Sequence, residues 1–216
     1  MRLTGGFEER EIDIAAAFYT ALYPGRCILD VGANIGLHSL AWSVLAPVVA
    51  LEPAPGTYAR LQANVTANRL EGRVRALQTA ASDREGEVEF FVAKDSAFSS
   101  LKDTGRVGIS DRLRVPCTTL DALAPGLPGP VGLLKIDVEG FERAVVAGAL
   151  QLLKRDRPVL FVEIYGGDAS NPDPEGTIED IRTYGYRTFV FAHDAGLLPY
   201  ERHRDDRYNY FFVPNP

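Results

Sequence analysis

The chain has 216 residues, 46% of them hydrophobic, and a formal net charge of −6 at pH 7. A chain of this length can bury roughly 70% of its unfolded surface, so it needs no disulfide or structural metal, and we expect one domain over residues 1–216. The negative charge argues against nucleic acid as a partner, because phosphate binding depends on Lys and Arg. We see neither a signal peptide nor a membrane-length apolar run, and we expect a cytoplasmic protein without membrane contact.

The predicted elements alternate between helices and strands. An N-terminal segment, residues 1–25, contains an amphipathic helix over 8–22. A β-hairpin and loop insertion occupies 87–124. The remaining predicted helices are 36–45, 55–70, 141–154 and 175–184, and the core strands begin at Cys27 and at 48, 73, 131, 158, 186 and 208. This order predicts an α/β fold with a doubly wound, mostly parallel, seven-stranded sheet and a ligand crevice at the carboxyl ends of its strands.

The first strand ends in a glycine-containing turn, Asp30-Val-Gly-Ala-Asn-Ile-Gly36. Gly32 and Gly36 allow the backbone to pass close to a ligand. A dinucleotide fold usually has Gly-x-Gly-x-x-Gly at this place, with the pyrophosphate against the middle glycine. Here Asn34 replaces that glycine. The Asp30 carboxylate would repel a pyrophosphate but attract an ammonium group, directly or through water.

A second carboxylate, Glu52, ends the next strand. It is placed to accept both hydrogen bonds of a ribose diol. S-adenosylmethionine carries both a ribose and an amino-acid ammonium. We therefore interpret the 30–36 turn, together with Glu52, as a binding site for S-adenosylmethionine.

Three carboxylates follow two later core strands. Asp137 and Glu139 come at the end of the strand that begins at 131, and Glu163 ends the strand that begins at 158. We expect Asp137 and Glu163 to be neighbours in the crevice, and Lys135 to pair with an acid. Three interpretations are open: one carboxylate is a general base, two share a divalent cation, or they cap helices and tie loops together. Capping applies most directly to Glu139.

The histidines are alternative bases. His38 lies in the helix after the turn, His193 ends a strand, and His203 lies in a charged loop. A lone histidine is more often a packing or surface residue than a catalytic one, so Asp137 remains the preferred catalytic group. The segment 166–176 is predicted either to shape acceptor binding or to be a solvated connection.

Six segments spread over nearly the whole chain carry a resemblance to a known family. They are Asp30-Val-Gly-Ala-Asn-Ile-Gly36, Leu51-Glu-Pro53, Asn64 with Asn68, Lys135-Ile-Asp-Val-Glu-Gly-Phe-Glu142, Arg157-Pro-Val-Leu-Phe-Val-Glu163 and Asn209-Tyr-Phe-Phe-Val-Pro214. Together they resemble the FkbM-type methyltransferases, and the Lys-Ile-Asp-Val-Glu-Gly segment is the most specific of them. The resemblance implies a class I, Rossmann-like fold, S-adenosylmethionine as methyl donor and, commonly, a hydroxyl oxygen of a sugar or secondary metabolite as acceptor.

The resemblance also implies roles for residues after the third strand, where such folds contact adenine. Ser82 and Asp83 stand there, and Asp83 is equally well explained as a turn residue before Gly86. Methyl transfer to oxygen needs alignment of the acceptor and removal of its proton. We assign that chemistry to Asp137, Glu163 and Glu139. The competing predictions are a nicotinamide-dependent oxidoreductase and a cofactor-binding module without catalysis.

Overall fold

The computed structural model describes residues 9–93, 109–166, 171–192 and 194–216. Four parts of the predicted elements lie outside this part of the chain: residues 1–8 of the N-terminal segment, 94–108 of the insertion, 167–170 of the segment 166–176, and His193. The helices are α1 (Glu9–Leu22), α2 (Leu37–Trp42), α3 (Pro55–Ala67), α4 (Leu120–Leu123), α5 (Glu142–Ala147), α6 (Leu150–Asp156) and α7 (Pro174–Thr183).

The strands alternate with these helices as predicted. They are β1 (Cys27–Val31), β2 (Val48–Leu51), β3 (Val74–Leu77), β4 (Ala80–Ala81), β5 (Gly86–Ala93), β6 (Ile109–Thr118), β7 (Val131–Ile136), β8 (Val159–Glu163), β9 (Tyr186–Ala192), β10 (Gly196–Pro199) and β11 (Asn209–Pro214).

The central sheet has the order β10-β9-β11-β8-β7-β1-β2-β3. Strands β8, β7, β1, β2 and β3 pair in parallel, whereas β11 is antiparallel to both β8 and β9. The predicted doubly wound, mostly parallel α/β sheet is therefore confirmed. The sheet contains one strand more than the seven predicted, because β10 pairs antiparallel with the end of β9.

The predicted hairpin insertion forms a second, three-stranded sheet. Strand β5 pairs antiparallel with β6, and β4 joins β6 in parallel. This small sheet follows β3 directly along the chain. It therefore places residues of β4 and β5 beside the carboxyl end of the central sheet.

The helix predicted over 141–154 is interrupted between α5 and α6. A Cβ atom at Gly148 would lie 2.0 Å from the carbonyl oxygen of Ser82. Only glycine allows this close approach. The absence of a side chain at Gly148 therefore lets the chain between α5 and α6 pass against the segment that follows β4.

Two hydrophobic clusters cover the two faces of the sheet. One contains Leu29 and Leu134 with side chains of α4 to α7, and the other contains Ile28 and Leu133 with side chains of α1 to α3. Neighbouring residues of one strand therefore bury opposite faces, as the two-residue period of a strand requires. Among the described residues, no helix is both long enough and apolar enough to cross a membrane.

Candidate active site

The turn after β1 has left-handed backbone conformations that glycine supplies. Gly32 has φ 76° and Gly36 has φ 93°, while Asn34 between them has φ 50°. A Cβ atom at Gly32 would lie 1.8 Å from the carbonyl oxygen of Asp137, and one at Gly36 would lie 2.5 Å from Leu61 Cδ1. The two glycines therefore let the turn lie directly against the end of β7 and against α3.

A cleft opens beside this turn, at the carboxyl ends of β1, β2 and β7. The space between its walls, including the part open to solvent, is about 570 Å³. Five of the residues predicted to form the site line the cleft: Gly32, Asn34, Glu52, Asp137 and Glu139.

Glu52 lies at the base of the cleft and holds the turn in place. Its Oε2 accepts a hydrogen bond from the Asn34 backbone N–H at 3.0 Å, and its Oε1 accepts one from Ala54 N–H at 2.9 Å. Burial raises the pKa of Glu52 to about 7, although these two N–H donors oppose the shift. Each carboxylate oxygen has a second lone pair, so hydroxyl groups of a ligand can still bind there.

Asp30 lies beneath the turn and is fully buried. Its Oδ2 accepts a hydrogen bond from Ser39 Oγ at 2.6 Å, and its Oδ1 lies 3.5 Å from Lys135 Nζ. Asp30 is not among the residues that line the cleft. This predicted cofactor-binding residue therefore contacts Ser39 and Lys135 behind the turn rather than the cleft itself.

Ser82 and Asp83 lie just beyond the cleft. Ser82 is buried and donates a hydrogen bond from its hydroxyl to Asp83 Oδ1 at 3.1 Å, while Asp83 is exposed. The cleft wall near them is formed by Ala80, Ala81 and Phe90.

Phe90 is the residue of this wall that our sequence analysis missed. It is buried in β5, as is Val88, two positions before it. The alternation of acidic and apolar residues over 87–90 identifies this inward-facing row. Strand β5 pairs with β6, and the structure places Phe90 of this row at the cleft.

The three predicted catalytic carboxylates converge. Asp137, Glu139 and Glu163 each place one carboxylate oxygen within 4.8 Å of those of the other two. Burial raises the pKa of Glu163 well above its ordinary value, and the neighbouring Asp137 adds to this shift. A hydrogen bond from Tyr165 opposes it. Such a cluster can hold a proton, or can bind a divalent cation through oxygen ligands.

Lys135 connects the acidic cluster to the turn, and its predicted pairing with an acid is confirmed. Its ammonium group donates to Asp137 Oδ2 at 3.1 Å and to the Gly32 carbonyl oxygen at 3.2 Å. Burial lowers the pKa of Lys135, but Asp137 and Asp30 raise it more, so the net shift is upward. The lysine therefore stays protonated between two carboxylates.

The described histidines lie away from the cleft lining. His38 is buried, with its ring 5.1 Å from the Trp42 ring and 5.8 Å from the Phe161 ring. Burial, and then the charge of Lys135, lower the pKa of His38 well below its ordinary value, so this ring is neutral at physiological pH. His203 Nδ1 lies 2.7 Å from the Tyr210 hydroxyl.

Comparison with known proteins identifies the family. The family model for the methyltransferase FkbM domain matches residues 30–188, a range that includes the glycine turn, Glu52 and all three carboxylates of the cluster. This match covers well over half of the chain. The chain belongs to the FkbM methyltransferase family.

Two curated relatives of this FkbM-family chain are named as methyltransferases. The hexuronic acid methyltransferase AglP of Haloferax volcanii is 33% identical over 140 residues, which cover 64% of this chain and 55% of that protein. The 31-O-demethyl-FK506 methyltransferase FkbM of Streptomyces tacrolimicus is 32% identical over 163 residues, covering 59% of this chain and 60% of that protein. The chain thus spans little more than half the length of these relatives.

A solved structure shares the fold of this FkbM-family chain. The crystal structure of methyltransferase FkbM from Methylobacillus flagellatus superposes with a TM-score of 0.60 at 14% sequence identity. The match covers 94% of this chain and 50% of that one. The likeness agrees with a class I, Rossmann-like methyltransferase fold.

Proposed function

We propose that the chain is an S-adenosylmethionine-dependent O-methyltransferase that acts on a hydroxyl group of a saccharide or other small hydroxylated molecule. One observation carries this proposal: a single cleft is lined both by the glycine turn with Glu52 and by Asp137 and Glu139 of the acidic cluster. The family match and the names of the two relatives support it.

The residues of the cleft fit the proposed methyl donor. Gly32 leaves no side chain between the turn and β7, and the buried Glu52 retains acceptor capacity for a ribose diol. Phe90 offers an apolar wall for adenine. When bound, S-adenosylmethionine would supply an activated methyl group, so the protein has to align the acceptor oxygen and take up its proton.

We assign proton removal to the acidic cluster, with Glu163 as general base. A carboxylate with a raised pKa is a better proton acceptor, and burial together with Asp137 raises the pKa of Glu163. Asp137 is instead engaged by the Lys135 ammonium, which donates to its Oδ2 at 3.1 Å, so one of its oxygens already has a partner. The neighbouring Asp137 then adds to the rise in proton affinity that burial gives Glu163.

Isothermal titration and a methyl-transfer assay test the proposal. We expect S-adenosylmethionine and S-adenosylhomocysteine to bind to the folded protein, and NADH not to bind. Labelled methyl from the donor should appear on hydroxylated acceptors. Binding of NADH without binding of either sulfur compound would favour the oxidoreductase, whereas tight donor binding without transfer to any acceptor would favour the non-catalytic module.

The same assay distinguishes a base from a metal site in the acidic cluster. Asp137, Glu139 and Glu163 offer the oxygen ligands that a divalent cation prefers. If the cluster acts as a base alone, EDTA leaves the rate unchanged. A loss of activity in EDTA that Mg²⁺ restores would assign the cluster to a cation instead.

We predict that Gly32→Ala weakens S-adenosylhomocysteine binding at least tenfold. The added Cβ would meet the Asp137 carbonyl oxygen at 1.8 Å, and the residue would keep φ 76°, so the turn or the end of β7 has to move. For alanine, the left-handed backbone conformation alone costs about 1–3 kcal/mol. Titration calorimetry measures the affinity, and circular dichroism checks the fold.

Gly56→Ala is the matched control for this substitution. Gly56 is exposed in the first turn of α3, and nothing lies within 4 Å of a Cβ placed there. This variant should bind S-adenosylhomocysteine as the wild type does. Equal affinities of wild type and Gly32→Ala would contradict the role we give to the turn.

We also predict that S-adenosylhomocysteine affinity depends on pH through Glu52. The ionised carboxylate is the better acceptor for a ribose diol, and the pKa of Glu52 is about 7. The dissociation constant should therefore fall about tenfold between pH 6 and pH 8, as expected for one ionisation at that pKa. Glu52→Gln should abolish this dependence.

Glu142→Gln provides the control for the pH dependence. Burial raises the pKa of Glu142 to about 7 as well, but this residue does not line the cleft of Glu52. We expect Glu142→Gln to retain the pH dependence of binding. If it abolished the dependence and Glu52→Gln did not, the ribose contact of Glu52 would be refuted.

A further inference from the structure

A second cavity borders the turn that follows β7. The space between its walls, including the part open to solvent, is about 400 Å³. Glu139 lines the first cleft and Gly140 lines the second cavity. Since the Cα atoms of consecutive residues are ~3.8 Å apart, the two spaces share the turn at Glu139 and Gly140 as part of their walls.

The walls of the second cavity are polar. Glu142, Asn171 and Thr177 line it, and all three are buried. Glu142 Oε1 accepts a hydrogen bond from Gly140 N–H at 2.8 Å, and the Thr177 hydroxyl donates to the Asp173 carbonyl oxygen at 3.1 Å. Among the described lining residues, proline is the only one with an apolar side chain. An apolar ligand would therefore exclude water from these polar groups without offering them hydrogen bonds, at a cost.

The charges of the second cavity disfavour an anion. Arg143 is its cationic lining residue, and Arg143 Nε already lies 2.6 Å from Asp180 Oδ2 while its Nη1 lies 3.5 Å from Asp173 Oδ2. Glu142 and Asp173 add carboxyl groups to the walls. A ligand carboxylate would thus have to displace an existing ion pair and approach other acids.

From these observations we infer that the second cavity is the acceptor subsite, and that it binds a neutral polyhydroxylated molecule such as an uncharged saccharide. This inference rests on the proposed function. Hydroxyl groups both donate and accept, so they match the carboxyl, amide and hydroxyl groups of Glu142, Asn171 and Thr177. An acceptor seated here would present one hydroxyl across the Glu139-Gly140 turn, toward the acidic cluster.

The test is a titration of isotope-labelled protein, saturated with S-adenosylhomocysteine, followed by nuclear magnetic resonance. The probes are the methyl glycosides of glucose, galactose and mannose, and those of the corresponding uronic acids. We expect at least one neutral glycoside to shift the amide resonances of Gly140, Asp173 and Thr177, and to bind at least threefold more tightly than its uronate. Absence of shifts with every neutral probe, shifts confined to other regions, or tighter uronate binding would overturn the inference.

Two variants and a matched control sharpen the test. Thr177→Val and Asn171→Ala should each weaken the neutral glycoside at least tenfold and leave S-adenosylhomocysteine affinity unchanged. Thr183→Val is the control, because Thr183 lies on the same helix, is exposed, and makes an equivalent bond to the Asp180 carbonyl oxygen at 2.6 Å. Unchanged sugar affinity in both cavity variants would overturn the subsite. If the wild-type protein did not bind S-adenosylhomocysteine, the proposed function itself would be refuted.

Discussion

Glu163→Gln is expected to lower kcat for methyl transfer by about 10²–10⁴-fold, the range usual for loss of a general base. Glutamine keeps the size of the side chain and its hydrogen-bonding capacity toward Tyr165, but it cannot take up a proton. Binding of S-adenosylhomocysteine should stay near the wild-type value, because Glu163 does not line the cofactor cleft. Steady-state rates with labelled donor, together with calorimetry, measure both quantities.

The pH profile separates the role of Glu163 from that of Asp137. Since Asp137 raises the pKa of Glu163, Asp137→Asn should lower that pKa and move the acid limb of the kcat/KM profile toward lower pH. Glu163→Gln should abolish this fall of kcat/KM at low pH. A profile that keeps its acid limb in Glu163→Gln would contradict the assignment of the base.

Glu201→Gln is the control for the change of charge. Glu201 is exposed and lies outside the cleft, so this variant should retain both the rate and the pH profile of the wild type. An equal loss of rate in Glu201→Gln and Glu163→Gln would mean that the overall charge, rather than the acidic cluster, determines activity.

Lys135→Met is expected to destabilise the fold by about 3–5 kcal/mol, because it leaves the buried Asp30 and its neighbour Asp137 without the cation between them. In a protein of this size such a loss lowers Tm by roughly 6–20 °C. The turn should also lose affinity for S-adenosylhomocysteine, since Lys135 Nζ donates to the Gly32 carbonyl oxygen. Denaturant titration and thermal melting measure the stability.

Two further variants test whether charge compensation is the cause of this effect. Lys154→Met removes an exposed lysine from the last turn of α6 and should change the free energy of unfolding by less than about 0.5 kcal/mol. Adding Asp30→Asn to Lys135→Met should recover part of the loss, because one uncompensated carboxylate is then removed. A Lys135→Met protein as stable as the wild type would contradict the buried ion-pair argument.

Local patterns in the chain were sufficient to predict most of the fold. Continuous apolar runs, the Gly32 and Gly36 turn, and the alternation with helical segments identified the parallel strands and their order of appearance. Strand β10 escaped prediction because its four residues, Gly-Leu-Leu-Pro, show no alternation, and it forms only by pairing with β9. The break at Gly148 also escaped, because its cause is the distant Ser82 carbonyl.

The sequence by itself determined which residues are available to the site: the glycine turn, Glu52 at the end of β2, and carboxylates at the ends of β7 and β8. It could do so because the carboxyl ends of parallel strands meet at one edge of a sheet. Only the tertiary structure decided that Asp30 is buried against Lys135, that Phe90 reaches the cleft, and that burial raises the pKa of Glu163. Those properties depend on burial and on distances between residues far apart in the chain, and packing alone sets both.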